Sequence, residues 1–113
     1  MTVDLFGCLP VRDYAAALAW YERFFGMPPT FSPNDTEAVW ELGEHCYLYI
    51  EHLPDRAGGG KHTMFVSDPE ERVAGISARG IDPANRETYE NGVSKVIYLD
   101  PDGNEIGIGG GPG

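Results

Sequence analysis

Along this chain apolar residues recur first at every second position and then at helical spacing, and the same change of period happens twice. From Val3 to Val11, the residues Val3, Leu5, Leu9 and Val11 share one parity while Phe6, Cys8 and Pro10 share the other, the period of a strand. At Asp13 the period lengthens. Asp-Tyr-Ala-Ala-Ala-Leu-Ala-Trp-Tyr-Glu-Arg-Phe-Phe-Gly26 sets Leu18, Tyr21 and Phe25 at helical spacing, with Asp13 as N-cap and Gly26 at the C-terminal cap. Pro28 and Pro29 keep the helix from resuming. The order then returns: His62-Thr-Met-Phe-Val-Ser-Asp68 predicts a strand ending at an N-cap, Pro69 takes the first helical position, and Glu71 completes the start signal. Val73 and Ile76 supply an apolar face and Gly80 ends the helix. Val66-Ser-Asp68 repeats Val11-Arg-Asp13, so the chain reads as one unit written twice.

Strand patterns follow each helix, at Pro29–Asn34, Glu37–Leu42 and Cys46–His52, then at Asn85–Tyr89, Val93–Leu99 and Glu105–Ile108. Both halves therefore predict the order β-α-β-β-β. Turn residues at Gly43-Glu44, Glu90-Asn91-Gly92 and Asp100-Pro-Asp-Gly-Asn104 make the later strands antiparallel hairpins. The expected organisation is a single domain over 1–113: unit one about 1–56, a flexible glycine-rich joint at 57–61, unit two about 62–109, and a frayed tail at 110–113. A helix carrying Trp20, Tyr21, Phe24 and Phe25 has more aromatic surface than one half-sheet covers, which predicts that part of it faces a partner chain or the other helix.

Composition narrows the partners. The 113 residues carry 18 Asp and Glu against 8 Lys and Arg, a formal charge of −10, which repels nucleic acid backbones and anionic membranes. No stretch approaches the roughly 18 apolar residues of a membrane span, and the N-terminus lacks a basic leader pattern, so a cytoplasmic location is expected. Cys8 and Cys46 sit singly in apolar segments, which predicts reduced, buried core thiols rather than a disulfide or zinc framework. Ser67, Ser77 and Ser94 lack a nucleophile-elbow setting. Gly58-Gly-Gly60 has no strand before it and no helix directly after it, so it is not a phosphate loop.

The paired β-α-β-β-β order, the strand end Leu9-Pro-Val-Arg-Asp13 running into Ala-Leu-Ala-Trp-Tyr-Glu-Arg-Phe-Phe-Gly26, and the late turn Asp-Pro-Asp-Gly-Asn104 together resemble the vicinal oxygen chelate superfamily, the glyoxalase, bleomycin-resistance and extradiol-dioxygenase group. The resemblance implies an α+β fold in which two tandem βαβββ units form a cupped mixed sheet, closed within a chain or across a homodimer. It also implies a divalent metal in the enzymes of the group, held from the first and last strand of each unit. The implied positions are Phe6, then Lys61 or His62, then Tyr49 or Glu51, then Gly107. Phe6 and Gly107 offer no donor, Gly107 reading as open space, which leaves Glu51 and His62 as the metal candidates. Parity sets His62 on the helix-facing side with Met64 and Val66. Two protein ligands alone would hold a divalent ion weakly.

The same parity argument fills the cup with Phe6, Cys8, Trp40, Tyr47, Tyr49, Glu51, Phe65 and Tyr98, while Ile106 and Ile108 pack under a helix. Aromatic faces and phenol hydroxyls suit planar or cationic small molecules. The expectation is a metal-independent binder of sequestration type, without cofactor, homodimeric, with an aromatic, acidic-rimmed cavity in which Glu51 pairs a cationic group. One alternative is an enzyme: a metal-dependent lyase, isomerase or dioxygenase using His62 and Glu51, or a metal-free catalyst with Glu51 or Glu105 as base. A second is a non-catalytic interaction module whose cup is filled by its own side chains. No catalytic residue is assigned.

Overall fold

The computed structural model describes residues 1–111. Its first unit runs β1 (Leu5–Val11), α1 (Tyr14–Phe25), β2 (Phe31–Asn34), β3 (Glu37–Gly43) and β4 (Cys46–His52). A 3-10 turn at Pro54–Arg56 leads to the second: β5 (Lys61–Phe65), α2 (Pro69–Ala78), β6 (Asn85–Thr88), β7 (Ser94–Leu99) and β8 (Glu105–Gly110). Each unit builds its own four-stranded sheet, ordered β1-β4-β3-β2 and β5-β8-β7-β6. After each helix the chain enters at the far edge and returns by hairpins, so the last strand arrives beside the first and parallel to it. The α+β fold with mixed sheets matches the expected one.

Helix starts differ between the units. Asp13 accepts the Ala16 N–H at 3.1 Å, and Gly26 closes α1 in the left-handed conformation at φ 76°. Asp68 makes no such cap: its carboxylate pairs with Arg72 one turn on, at 2.8 Å, and Arg72 holds it below the usual carboxylate range. The start signal expected at Asp68 and Glu71 is therefore replaced by an ion pair, and proline at the first position begins the helix.

The helix-bearing faces of both sheets share one core. Leu9, Trp40 and Ile50 from the first, Tyr98, Ile106 and Ile108 from the second, and Tyr21, Phe24 and Ile76 from the helices belong to it. Phe24 lies 5.2 Å from the Tyr98 ring and Tyr21 lies 6.0 Å from the Trp40 ring, so α1 is wedged between the units. The aromatic surplus of α1 is thus covered within the chain, Phe24 by the second sheet and Tyr21 by the first, and Trp20, Tyr21 and Phe24 are all buried.

The turn Asp100–Asn104 fastens the units together. The Asp100 carboxylate accepts from the N–H groups of Asp102 and Asn104, from the Asn104 amide, and from the Tyr21 hydroxyl at 2.7 Å. Burial, and then the adjacent Asp100, push the Tyr21 phenol well above its ordinary value, so it stays a donor. Asn104 is fully buried; its amide donates to the Pro10 carbonyl at 2.7 Å and its oxygen accepts the Gly60 N–H at 2.7 Å. Gly58, at φ 86°, passes so close that a Cβ would stand 2.4 Å from the Asp102 carbonyl. The joint expected to be flexible is consequently tied down on both sides. Two further expectations change. β8 extends through Gly110, which is buried, so residue 110 belongs to a strand and not to the tail expected at 110–113, of which Pro112 and Gly113 lie outside the described residues. Cys46 is exposed and Cys8 half-buried, so neither is a core thiol.

Candidate functional site

With helices on one side of each sheet, the opposite faces stay uncovered within the chain. On the first sheet the β1–β4 register sets Phe6 opposite Tyr47, Cys8 opposite Tyr49 and Pro10 opposite Glu51, and the β3–β4 register adds Glu37 and Glu41 beside Glu51 and Tyr47. Phe6 and Tyr47 stack with centroids 4.4 Å apart and planes 7° from parallel, with Phe6 still 46% exposed. Burial, then the neighbouring Cys8, then Glu51 and Glu37, push the Tyr49 phenol up to about 12. Burial and then Glu41 raise Tyr47. Burial raises the Cys8 thiol against the opposing pull of Tyr49 and Arg56. At ordinary pH this face therefore offers neutral phenols and a neutral thiol beside carboxylates.

Trp40 and Tyr98 are not on these faces. Trp40 pairs with Leu48 and is fully buried, with its indole N–H donating to the Met27 carbonyl at 3.0 Å. Tyr98 pairs with Ile106, the residue already expected under a helix, and is 1% exposed against Phe24. Both expectations of cup lining are corrected for the same reason: residues facing one another across antiparallel strands share a face. Phe65 does lie on the open face of the second sheet, 66% exposed, opposite Gly109.

That second face is charged. Lys61 stands opposite Glu105, Thr63 opposite Gly107, and Glu87 opposite Lys95. The space expected at Gly107 is filled: a Cβ there would lie 2.5 Å from Lys95 Cε and 3.2 Å from its Cγ, so the lysine stem lies across the glycine. Glu105, which could read as a base or a solvated carboxylate, is half-buried with Lys61 Nζ at 3.8 Å and Lys95 Nζ at 3.9 Å. His62 is on neither open face: it pairs with Ile106 on the helix-bearing side, where its parity set it. Its Nε2 donates to the Cys8 carbonyl at 2.9 Å and its ring packs over Gly7, where β5 meets β1.

The registers also align the two units. Cys8 pairs with Tyr49 as Thr63 pairs with Gly107, so the four equivalent positions of the implied metal site are Phe6, Tyr49, Lys61 and Gly107. A ring, a phenol held protonated, an ammonium and a glycine do not fit a divalent ion. Among the described residues no group of three His, Cys, Asp or Glu side chains is placed to hold one. Glu51 and His62 do not complete such a set, since His62 is spent on the junction between units.

The first face runs on into an open groove of about 640 Å³, lined by Cys8, Pro10, Leu53, Arg56 and the glycines of the joint. Glu37, Glu41, Arg56 and Lys95 are site residues that the sequence pattern had not suggested. Lys95 shares its parity with Ile97 and Leu99, and that parity identifies it once Tyr98 is assigned to the core. Among the described residues no helix is long and apolar enough to cross a membrane.

The family model described as Glyoxalase/Bleomycin resistance protein/Dioxygenase superfamily matches residues 3–108. Among solved structures, a glyoxalase / bleomycin resistance protein from Catenulispora acidiphila is 49% identical, with 98% of this chain and 100% of that chain covered, at a TM-score of 0.95. A bleomycin-binding protein complexed with bleomycin is 22% identical, covering 96% and 98% at a TM-score of 0.77. A lactoylglutathione lyase from Agrobacterium tumefaciens is 20% identical, covering 98% and 95% at a TM-score of 0.78. The last two show the fold alone, and one is a binder while the other is named as an enzyme. No curated protein matches the chain.

Proposed function

The chain belongs to the Glyoxalase/Bleomycin resistance protein/Dioxygenase superfamily, and from that membership we propose that it is a metal-independent binder that sequesters a small aromatic, cationic molecule. The single observation carrying this reading is the set Phe6, Tyr49, Lys61 and Gly107 at the positions where a metal enzyme of the fold needs donors. What replaces them on the first face is a binding surface. The Phe6–Tyr47 stack gives a flat apolar platform, the phenols donate hydrogen bonds, and Glu51 with Glu37 and Glu41 supplies negative charge for a cation. The groove of about 640 Å³ lies within the range of small-molecule sites.

Closure comes from a second copy in this reading. Phe6, Phe31, Phe65 and Leu99 are each between 45% and 66% exposed, and the shared core leaves both open faces on the outside of the chain. A homodimer that brings open faces together buries these side chains and completes the cup.

Benzamidine, an aromatic cation, serves as the probe. Titrated into chelator-stripped and untreated protein and followed by NMR, it binds both with the same affinity. Glu51→Gln and Tyr49→Ala each weaken binding by about tenfold. Binding that disappears on stripping and returns with a divalent metal overturns the proposal.

A further inference from the structure

The second open face holds a cation whose surroundings provide it with less than a full partner. Lys95 is 16% exposed at its side chain, against 70% for Lys61 on the same face. Its stem is seated in the furrow that Gly107 leaves, where any side chain would collide with it. The ammonium is held in place before any ligand arrives, so little side-chain entropy remains to be lost on binding. Its nearest carboxylate oxygen, Oε2 of Glu105, is 3.9 Å away, beyond hydrogen-bond length, and Lys61 reaches the same oxygen at 3.8 Å. Glu87, the cross-strand neighbour of Lys95, already accepts the Tyr89 hydroxyl at 2.8 Å. Two ammonium groups thus share one carboxylate oxygen, and the Lys95 N–H groups have no carboxylate at hydrogen-bond distance.

We propose that Lys95, laid across Gly107 on the second open face, is the recognition point for the carboxylate of a small organic acid. A carboxylate seated on Lys95 accepts its N–H groups and leaves Glu105 to Lys61. Phe65, spread over Gly109 beside it, gives an apolar wall for the rest of the molecule. A dianionic phosphate suits the place less well than a monoanion, because Glu105 and Glu87 stand beside the two lysines and repel the second charge. The inference rests on the reading that the open faces hold a ligand, and it extends that ligand's class: the first face takes aromatic, cationic parts, and the second takes a monoanionic carboxylate.

The test is an amide-shift NMR titration of the wild-type chain with sodium benzoate, with benzyl alcohol as the uncharged counterpart, repeated on Lys95→Met, Lys95→Gln and Lys61→Met. Benzoate is expected to move the amides of Lys95, Gly107 and their neighbours on β7 and β8, and to bind more tightly than benzyl alcohol. Its affinity falls about tenfold or more in both Lys95 variants and holds in Lys61→Met. Equal binding by the wild type and both Lys95 variants overturns the inference, as does a wild-type shift map that avoids β7 and β8. Benzamidine run in parallel separates this from the proposed function. Benzamidine bound at the first face while benzoate ignores Lys95 removes only the carboxylate site. Benzoate held by Lys95 with no benzamidine bound keeps the carboxylate site and removes the first-face reading, and failure of both probes removes both.

Discussion

The two open faces have the same strand order and the same register, and they differ at nearly every equivalent position. Phe6 corresponds to Lys61, Cys8 to Thr63, Tyr47 to Glu105 and Tyr49 to Gly107. One face is a platform of rings bordered by carboxylates, and the other is a glycine furrow holding a lysine. The helix-bearing faces diverge less: Leu9 and Ile50 on one sheet answer Met64 and Ile108 on the other, and the exception is Gly7, which answers His62. Duplication therefore preserved the side that must pack and left the other side free to change, which is why membership of the fold says where a site lies and not what it binds.

The comparison breaks first if the sides are wrongly assigned. Trp40→Ala and Tyr98→Ala remove buried rings and are expected to lower stability by about 3–5 kcal/mol each in urea denaturation, whereas Tyr47→Ala on the open face loses less than about 1 kcal/mol. Asn104→Ala comes next: it strands the Pro10 carbonyl and the Gly60 N–H and should lose about 2–3 kcal/mol by the same measurement, with both units still unfolding in one transition. Two separate transitions would mean that the faces belong to independent bodies.

Gly107→Ala sharpens the contrast within the second sheet. The added methyl meets the Lys95 stem, a flexible neighbour, so the lysine is displaced for about 1 kcal/mol and its side-chain NMR signals shift toward those of a solvated lysine. The smallest effect is electrostatic. Tyr49 keeps its proton in the folded chain up to about 12, whereas an unfolded tyrosine releases it near 10.0. Across that window the unfolded state binds fewer protons, so stability falls as pH rises. Phenolate absorbance should show a late-titrating component that Tyr49→Phe removes.

How much of this was legible depends on where polar residues interrupt the pattern. Element order, the duplication and the α1 caps follow from local signals, because periods and caps are written in neighbouring residues. Face assignment in β3 and β7 was harder. Ala38-Val39-Trp40 and Val96-Ile97-Tyr98-Leu99 are apolar at every position, so alternation within the run says nothing. The flanking charges decide it: Glu37 and Glu41 share the parity of Val39, and Lys95 shares the parity of Ile97, which sends Trp40 and Tyr98 inward. The metal positions were legible because Phe6 and Gly107 are unmistakable. The filling of Gly107 was not, since it depends on a lysine brought there by strand pairing. The failed cap at Asp68 reflects a choice between two partners, backbone N–H or Arg72, that only geometry resolves.

The bond from Asn104 to the Pro10 carbonyl joins residues 94 positions apart, and that from Tyr21 to Asp100 joins residues 79 apart. Tyr21 belongs to the core that both units share, and Asp100 and Asn104 are buried beside it. During synthesis, therefore, Tyr21 and Phe24 wait for their second-unit partners until Tyr98 and Asp100 have left the ribosome. Loop closure over such distances slows folding, and in that interval a nascent chain of this protein exposes its most aromatic helix to aggregation or chaperone capture.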